Sequence, residues 1–277
     1  MPQIDIGTVL RDKAPRLARW IPRFAVNWLR RTVLEKELNH ILQNYWHLAP
    51  QPFLHACLRE WGISYSIEGL DKIDPEGRYL FVSNHPFGGM DGMMLADKLI
   101  DHFGDARVIV NDILRNVTPL EPLWVPVNKH GSQKLSYARR FDEVFNSELP
   151  ILTFPAGLCS RYIDGRVQDT PWRPNFLKKA ASSKRTIVPI FVEGHLSKFF
   201  YRLSRWRKAL GVKANIEMLW LVDEMLGQKG RHFRIVVGEP LDMEALYALP
   251  SRDEQLQFVR EKCYALEKRL ESLPQNR

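Results

Sequence analysis

The chain has 277 residues, of which 45% are apolar, 11% aromatic and 26% charged. Chains of about 300 residues bury roughly three quarters of their unfolded surface, so a real core is expected, and the aromatic content excludes a disordered chain. Three cysteines, Cys57, Cys159 and Cys263, are odd in number, far apart and in no Cys-x-x-Cys pattern; this excludes a disulfide scaffold and argues for reduced thiols in a cytoplasmic setting.

Residues 1–16 contain no apolar h-region, so no signal peptide is expected. No run of about 18 apolar residues occurs, so no simple membrane-spanning helix is expected either. The net charge of +8 is unevenly spread. Residues 1–31 carry Arg11, Lys13, Arg16, Arg19, Arg23, Arg30 and Arg31 against Asp5 and Asp12, a net of +5. Residues 195–213 carry Lys198, Arg202, Arg205, Arg207, Lys208 and Lys213 with no carboxylate, a net of +6. Both stretches hold aromatics: Trp20, Phe24 and Trp28 in the first, Phe199, Phe200, Tyr201 and Trp206 in the second. Basic residues mixed with aromatics suit an anionic lipid surface or a nucleic acid.

From Pro22 to His47 apolar residues return at helical spacing (Phe24, Trp28, Val33/Leu34, Leu38, Ile41/Leu42, Tyr45/Trp46), which predicts one helix. A second helix follows Pro52, with Phe53, Cys57, Leu58 and Trp61 on one face. After Gly62 strands and helices alternate. Strands are predicted over 63–70, 78–85, 107–111, 124–128, 151–155, 186–194 and 233–241. Helices are predicted over 88–104, 132–147, 174–183, 197–209, 215–226 and 251–272. Short, β-branched, apolar strands alternating with helices argue for an α/β fold: a largely buried mixed sheet flanked by helices. The partition is a helical amino-terminal element, 1–62, packed on one α/β domain, 63–277.

Three constellations could carry chemistry. In the first, Ser83-Asn84-His85-Pro86-Phe87-Gly88-Gly89-Met90-Asp91-Gly92, an apolar strand ends at Asn84-His85, two glycines turn the chain and a helix starts near Asp91. Such strand ends are where open α/β sheets place ligands. On the residues alone, His85 and Asp91 read either as a strand cap and a helix cap or as a general base and the carboxylate that orients it. In the second, Phe154-Pro155-Ala156-Gly157-Leu158-Cys159-Ser160-Arg161 places small residues and a guanidinium after a strand, as an anion site or an ordinary tight turn. Cys159 reads as a small buried residue rather than a nucleophile, and Ser160 lacks a Gly-x-Ser-x-Gly elbow. The third is Val188-Pro189-Ile190, a proline inside a strand that marks an edge, a bulge or a ligand-facing bend. His195 follows Glu193, but no further ligand has metal spacing, so no metal is expected.

In order and spacing these three blocks resemble the glycerolipid acyltransferase superfamily, with its Asn-His-x4-Asp, Phe-Pro-Glu-Gly-Thr-Arg-Ser and Val-Pro-Ile/Val blocks. The second family block would fall near residues 124–129, where the match is poor. The resemblance covers roughly residues 60–240. It is nearest to a bacterial branch labelled haemolysin and to the O-acyltransferases of ornithine and glycine lipid synthesis, which share Asn-His-Pro-x-Gly-Gly-x-Asp-Gly, Phe-Pro-Ala-Gly-x-x-Ser-Arg and a following segment like Asp169-Thr170-Pro171-Trp172.

The resemblance implies an acyltransferase in membrane lipid synthesis. His85 would be the general base and Asp91 its orienting partner, with Asn84, Gly88, Gly89, Pro155, Gly157, Ser160 and Arg161 binding substrate. The oxyanion would be held by backbone N–H groups near Gly88–Gly92 or Gly157. The co-substrate would be an acyl thioester on acyl carrier protein or coenzyme A, with no metal or redox cofactor. The partners implied are a lipid acceptor and an anionic membrane surface, not nucleic acid, and the protein would be peripheral on the inner face of the cell membrane. Two departures from the family pattern bear on mechanism. Five residues, not four, separate His85 from Asp91, and Gly88-Gly89 must absorb the extra one. The block-three Glu and Arg are Ala156 and Cys159, which favours a monoacylated amino-acid lipid over a phosphate-bearing acceptor, unless Arg161, Arg115 or Arg173 reaches the phosphate. The rival readings are a lysophosphatidate acyltransferase and a non-catalytic binder of anionic surfaces.

Overall fold

The computed structural model describes residues 3–13, 19–111, 117–127 and 134–272. In chain order it has α1 (Ile6–Lys13), α2 (Arg23–Thr32), α3 (Glu35–Tyr45), α4 (Pro50–Glu60), β1 (Ser64–Glu68), β2 (Tyr79–Ser83), α5 (Gly89–Phe103), β3 (Arg107–Asn111), β4 (Trp124–Val127) and α6 (Lys134–Asn146). There follow β5 (Ile151–Thr153), β6 (Arg161–Ile163), β7 (Arg166–Gln168), α7 (Asn175–Ser182), β8 (Thr186–Val192), α8 (Lys198–Ala209), α9 (Leu221–Leu226), β9 (His232–Val237), α10 (Met243–Tyr247), α11 (Arg252–Ala265) and α12 (Glu267–Ser272).

Seven strands form one sheet in the order β1-β9-β8-β2-β5-β3-β4. All neighbours are parallel except β8 and β9. β2 lies in the middle and every one of its residues is buried. Its side chains alternate between two apolar clusters, as strand geometry requires. Phe81 joins residues of α4 and α5 on one face, while Leu80 and Val82 join residues of α6, α7 and α11 on the other. The sheet is therefore covered on both faces, the mixed α/β architecture that the alternating sequence predicts. Truncating a side chain such as Phe81 to alanine would cost about 3–5 kcal/mol.

The proline in β8 has a local explanation. Pro189 pairs in register with Val82 of β2, and its carbonyl accepts from Gly238 N (2.8 Å) on the β9 side. A strand residue points its N–H and C=O the same way, so the missing donor faces the place where β9 has already ended. A Cβ at Gly238 would come within 2.9 Å of the Pro189 ring, so the turn needs glycine there.

Several elements differ from the sequence expectation. The helix expected from Pro22 to His47 is two helices, broken at Leu34, which adopts the left-handed φ of +53°. That conformation costs about 1–2 kcal/mol. The break turns α3 so that Glu35 accepts from Ile6 N (2.8 Å) and Asn39 clasps Ile4 through both N and O (2.7 and 2.8 Å). The closing helix is likewise split, at Leu266. The β6–β7 hairpin, unforeseen, turns on Asp164 and Gly165, both at positive φ. Arg16, Arg115, Asn128 and Lys129, all drawn on in the sequence reading, lie outside the described residues.

Candidate active site

The site grows from the carboxyl end of β2, where a central strand flanked by parallel neighbours opens a crevice. Asn84 stitches that end shut: its Nδ2 donates to Val192 O (2.9 Å) and its Oδ1 accepts from Val192 N (2.8 Å). The next residue, His85, keeps 16% of its side chain exposed. Its ring stacks on Phe154 with centroids 4.1 Å apart and planes 28° from parallel. Gly92 lies beneath that ring, 3.8 Å from Phe154 measured from where a Cβ would stand.

His85 and Asp91 meet. Nδ1 of His85 lies 3.0 Å from Oδ2 of Asp91, within charge-pairing distance although off the line of a well-aligned hydrogen bond. Gly88 absorbs the extra residue between them, at φ +77° and ψ −116°, a conformation open to glycine. This tight turn aims the backbone N–H groups of Phe87 and Gly88 at Asp91 Oδ2, each at 3.0 Å. Asp91 is fully buried in the first turn of α5, and burial pushes its carboxyl above the ordinary range. The pairing with His85 and the two N–H donors oppose that shift, as does the positive end of the helix dipole.

Behind His85 stands a second buried carboxylate that the sequence reading did not single out for chemistry. Asp169 Oδ1 accepts from His85 N (3.1 Å) and from Ser160 Oγ (2.6 Å), while Oδ2 accepts from Trp172 Nε1 (2.8 Å). The amide of Ser160 donates to His85 O (2.7 Å). Asp169 thus ties the block-one loop to block three and to the tryptophan segment. Burial pushes its carboxyl up as well, against the pull of Ser160 and Trp172.

The third block is arranged differently from its expected role. Arg161, 3% exposed, donates from Nη1 to Cys159 O (2.6 Å) and from Nη2 to Glu217 Oε1 (2.9 Å). Glu217 is fully buried and also takes Arg207, whose Nε lies 2.8 Å from Oε2. The side chains of Asn84, Ser160 and Arg161, expected to bind substrate, are hydrogen-bonded inside the protein, because each is buried and needs a partner. Pro155 is buried, with its carbonyl accepting from Arg173 N (3.1 Å). Gly157, exposed at φ +65°, spends its N–H on Phe154 O (2.9 Å). Cys159 is fully buried and burial pushes its thiol up, so it is no thiolate nucleophile.

Residues 216–226 press on this centre. Leu221 touches Gly88, where a Cβ would fall 3.0 Å from Cδ2, Met225 lies over Gly89, and the Met218 sulfur is 3.7 Å from Cys159 Sγ. Beside the strand ends a cavity of about 270 Å³ is lined by Asn84, Pro86, Ser160, Arg166, His195 and Tyr264 among others. Among the described residues, the grouping of potential metal ligands is His55, Asp97 and Asp101, which includes none of the block residues.

An oriented imidazole at a strand end, backed by a buried carboxylate and facing a helix amino terminus, is suited to taking a proton from a hydroxyl. Comparison with known proteins places the chain in a family. The family model described as Acyltransferase matches residues 8–273. Lyso-glycine lipid O-acyltransferases of Phocaeicola vulgatus and Bacteroides thetaiotaomicron are 39% and 36% identical over 264 residues, covering 95% of this chain and 95% and 97% of their own. The crystal structure of the 1-acyl-sn-glycerophosphate acyltransferase PlsC from Thermotoga maritima aligns at 16% identity with a TM-score of 0.46, covering 90% of this chain and 97% of that one. The chain belongs to the acyltransferase family and is an acyl-transferring enzyme.

Proposed function

We propose that this acyltransferase esterifies the free hydroxyl of a monoacylated amino-acid lipid, drawing the acyl group from a thioester on acyl carrier protein or coenzyme A. The observation that carries the chemistry is the 3.0 Å approach of His85 Nδ1 to Asp91 Oδ2. A proton on Nδ1, facing the carboxylate, leaves the Nε2 lone pair for the acceptor. Nε2 removes the hydroxyl proton as that oxygen bonds to the thioester carbonyl carbon. The tetrahedral adduct then collapses, the carbon–sulfur bond breaks, and the proton passes from Nε2 to the departing thiolate.

The oxyanion needs donors. The N–H groups of Phe87 and Gly88 are taken by Asp91 and that of Gly157 by Phe154. This leaves the first-turn N–H groups of Gly89 and Met90, which have no acceptor within α5. One such donor is worth roughly 10²–10³ in rate. Asn84, Ser160 and Asp169 hold the loop in place.

The acceptor class rests on the names of the two relatives and on Arg161. A phosphomonoester needs charge-matched donors, usually arginine, and the guanidinium of this block is already paired with Glu217. A head group with a single carboxylate, or none, demands less. The enzyme would work at an anionic membrane surface, with residues 1–62 as a membrane-associating helical element anchored by α4 and 63–277 as the catalytic domain. No helix among the described residues is long and apolar enough to cross a membrane, which is compatible with peripheral attachment. The test is competition between lyso-glycine lipid and lysophosphatidate for one acyl donor, with both acceptors dispersed in detergent. Preference for lyso-glycine lipid is expected; preference for lysophosphatidate would overturn the acceptor assignment.

A further inference from the structure

Helix α8 has two apolar faces. Phe200, Tyr201, Ser204 and Arg207 are buried against the domain. The opposite side carries Phe199, Trp206 and, one residue past the end of the helix, Leu210, exposed by 51%, 69% and 79%. Their spacing of seven and then four residues keeps them on one stripe. Val212 and Ile216, beyond the end of the helix, are 40% and 37% exposed. With its inner face already packed, the helix leaves Trp206 and Leu210 of this outer stripe in solvent, while Phe199 touches Trp220 at its edge. Exposed Lys198, Arg202, Arg205, Lys208 and Lys213 flank it. The sixth cation of the stretch, Arg207, is turned inward to Glu217.

The amino-terminal limb has the same make-up. Trp20, Phe24 and Trp28 are exposed by 85%, 75% and 50%, beside exposed Arg19, Arg23 and Arg31. No residue of α2 is buried. The two limbs, far apart in sequence, meet at Trp220. Its ring lies edge-to-face with Trp28 (5.9 Å, 72°) on one side and with Phe199 (5.7 Å, 72°) on the other. The next residue, Leu221, is the one that touches Gly88 of the catalytic turn. The aromatic surface and the His85 centre thus lie on two sides of one short segment.

We propose that α2 and α8, joined through Trp220, form one docking face for the interfacial zone of an anionic bilayer, and that α8 inserts its exposed side chains alongside those of the amino-terminal limb. The proposal deepens the reading of the enzyme as one that acts on lipid at a membrane, and rests on it. An apolar stripe rich in tryptophan and rimmed by cations is what the headgroup boundary of an anionic membrane accepts. An acidic carrier protein would be met by the cations alone and gives no reason for Trp206 and Leu210 to stand in water.

The experiment is flotation of the full chain with vesicles of phosphatidylcholine alone or mixed equally with phosphatidylglycerol. Wild type is compared with Trp206→Glu/Leu210→Glu and with Trp20→Glu/Phe24→Glu. All four positions are exposed, so the variants should fold, and thermal unfolding checks that they do. Each pair should lower partitioning into the anionic vesicles by about tenfold or more, as expected for interfacial helices. Acyl transfer to acceptor dispersed in detergent should stay near wild type. An α8 variant that floats like wild type would overturn the proposal. So would a wild type that ignores anionic vesicles but loses capture of purified acyl carrier protein through the α8 changes. Absence of transfer by the wild type in detergent would instead refute the proposed function and leave the flotation result standing by itself.

Discussion

The His85 turn and helix α2 sit within one chain under opposite rules. At the turn, Asn84, Asp91, Ser160 and Asp169 are each 4% exposed or less, and each side chain is tied to backbone or side chains from other parts of the loop or the sheet. In α2, none of ten residues is buried, and Trp28 edge-on to Trp220 is its aromatic link to the domain. The contrast fits the two tasks proposed for them. Proton transfer demands placement to a fraction of an ångström, and the turn is built from buried polar groups fixed by hydrogen bonds, Asp91 through its Oδ2. Docking to a fluid surface demands area and charge rather than geometry, so the limb can remain open.

The sharpest way to break the comparison is His85→Ala. Loss of the base should lower transfer by roughly 10²–10⁴ with an unchanged circular dichroism spectrum, since the side chain stands at a strand end outside both apolar clusters. A folded variant with wild-type rate would remove His85 from the mechanism. Asp169→Ala should act through the framework instead. It leaves His85 N, Ser160 Oγ and Trp172 Nε1 without their acceptor in a buried place. At about 1–3 kcal/mol for each unsatisfied group, several kcal/mol of stability should be lost in urea unfolding, and the folded remainder should transfer slowly. The same change made at Glu37, on the exposed side of α3, should alter stability by no more than about 0.5 kcal/mol. If the two cost the same, the buried framework is not what holds the turn.

Asp91→Asn comes next in size. Asparagine keeps an oxygen for the N–H groups of Phe87 and Gly88 but gives up the charge that faces His85. Transfer should fall by about tenfold to a hundredfold, less than for His85→Ala, because orientation and not the proton acceptor is lost. Single-turnover rates at saturating acceptor check this, and a rate equal to wild type would reduce Asp91 to a helix cap.

Legibility of the site in the sequence depends on distance along the chain. The strand, the two glycines and the His85–Asp91 pair lie within thirteen residues, and the blocks keep their order, so the residues alone offer their meeting as one of two readings. Asp169 cannot be found that way. It reaches His85 across 84 positions, and no periodicity links them. Glu217 is hidden for a similar reason: it lies just beyond a run of cations, and only the fold shows that Arg161 and Arg207 both turn to it. The break at Leu34 has no signal, since leucine seldom adopts positive φ. The β6–β7 hairpin does have one. Asp164-Gly165 between short β-forming stretches is a two-residue turn signature, overshadowed by the block that ends just ahead of it at Arg161.

The smallest prediction concerns the seam between α3 and α4, where the open limb meets the core. Tyr45 Oη donates to Glu60 Oε2 (2.7 Å), and His40 Nε2 lies 3.2 Å from Oε1. The Tyr45 hydroxyl, seconded by His40, holds the Glu60 carboxyl below its ordinary 4.5. A carboxyl depressed in the folded state adds stability above its unfolded value, and that stability is lost as pH falls through the folded one. Glu60→Gln should therefore make the protein slightly less stable than wild type at pH 7. The gap should close on acidification from about pH 5 to below pH 4. With Glu60 still 31% exposed, water screens the pair and the gap should not exceed about 1 kcal/mol. Urea midpoints of the two proteins at pH 7, 5 and 4 measure it. A difference that persists unchanged at pH 4 would mean that glutamine disturbs packing at the seam rather than removing a charge.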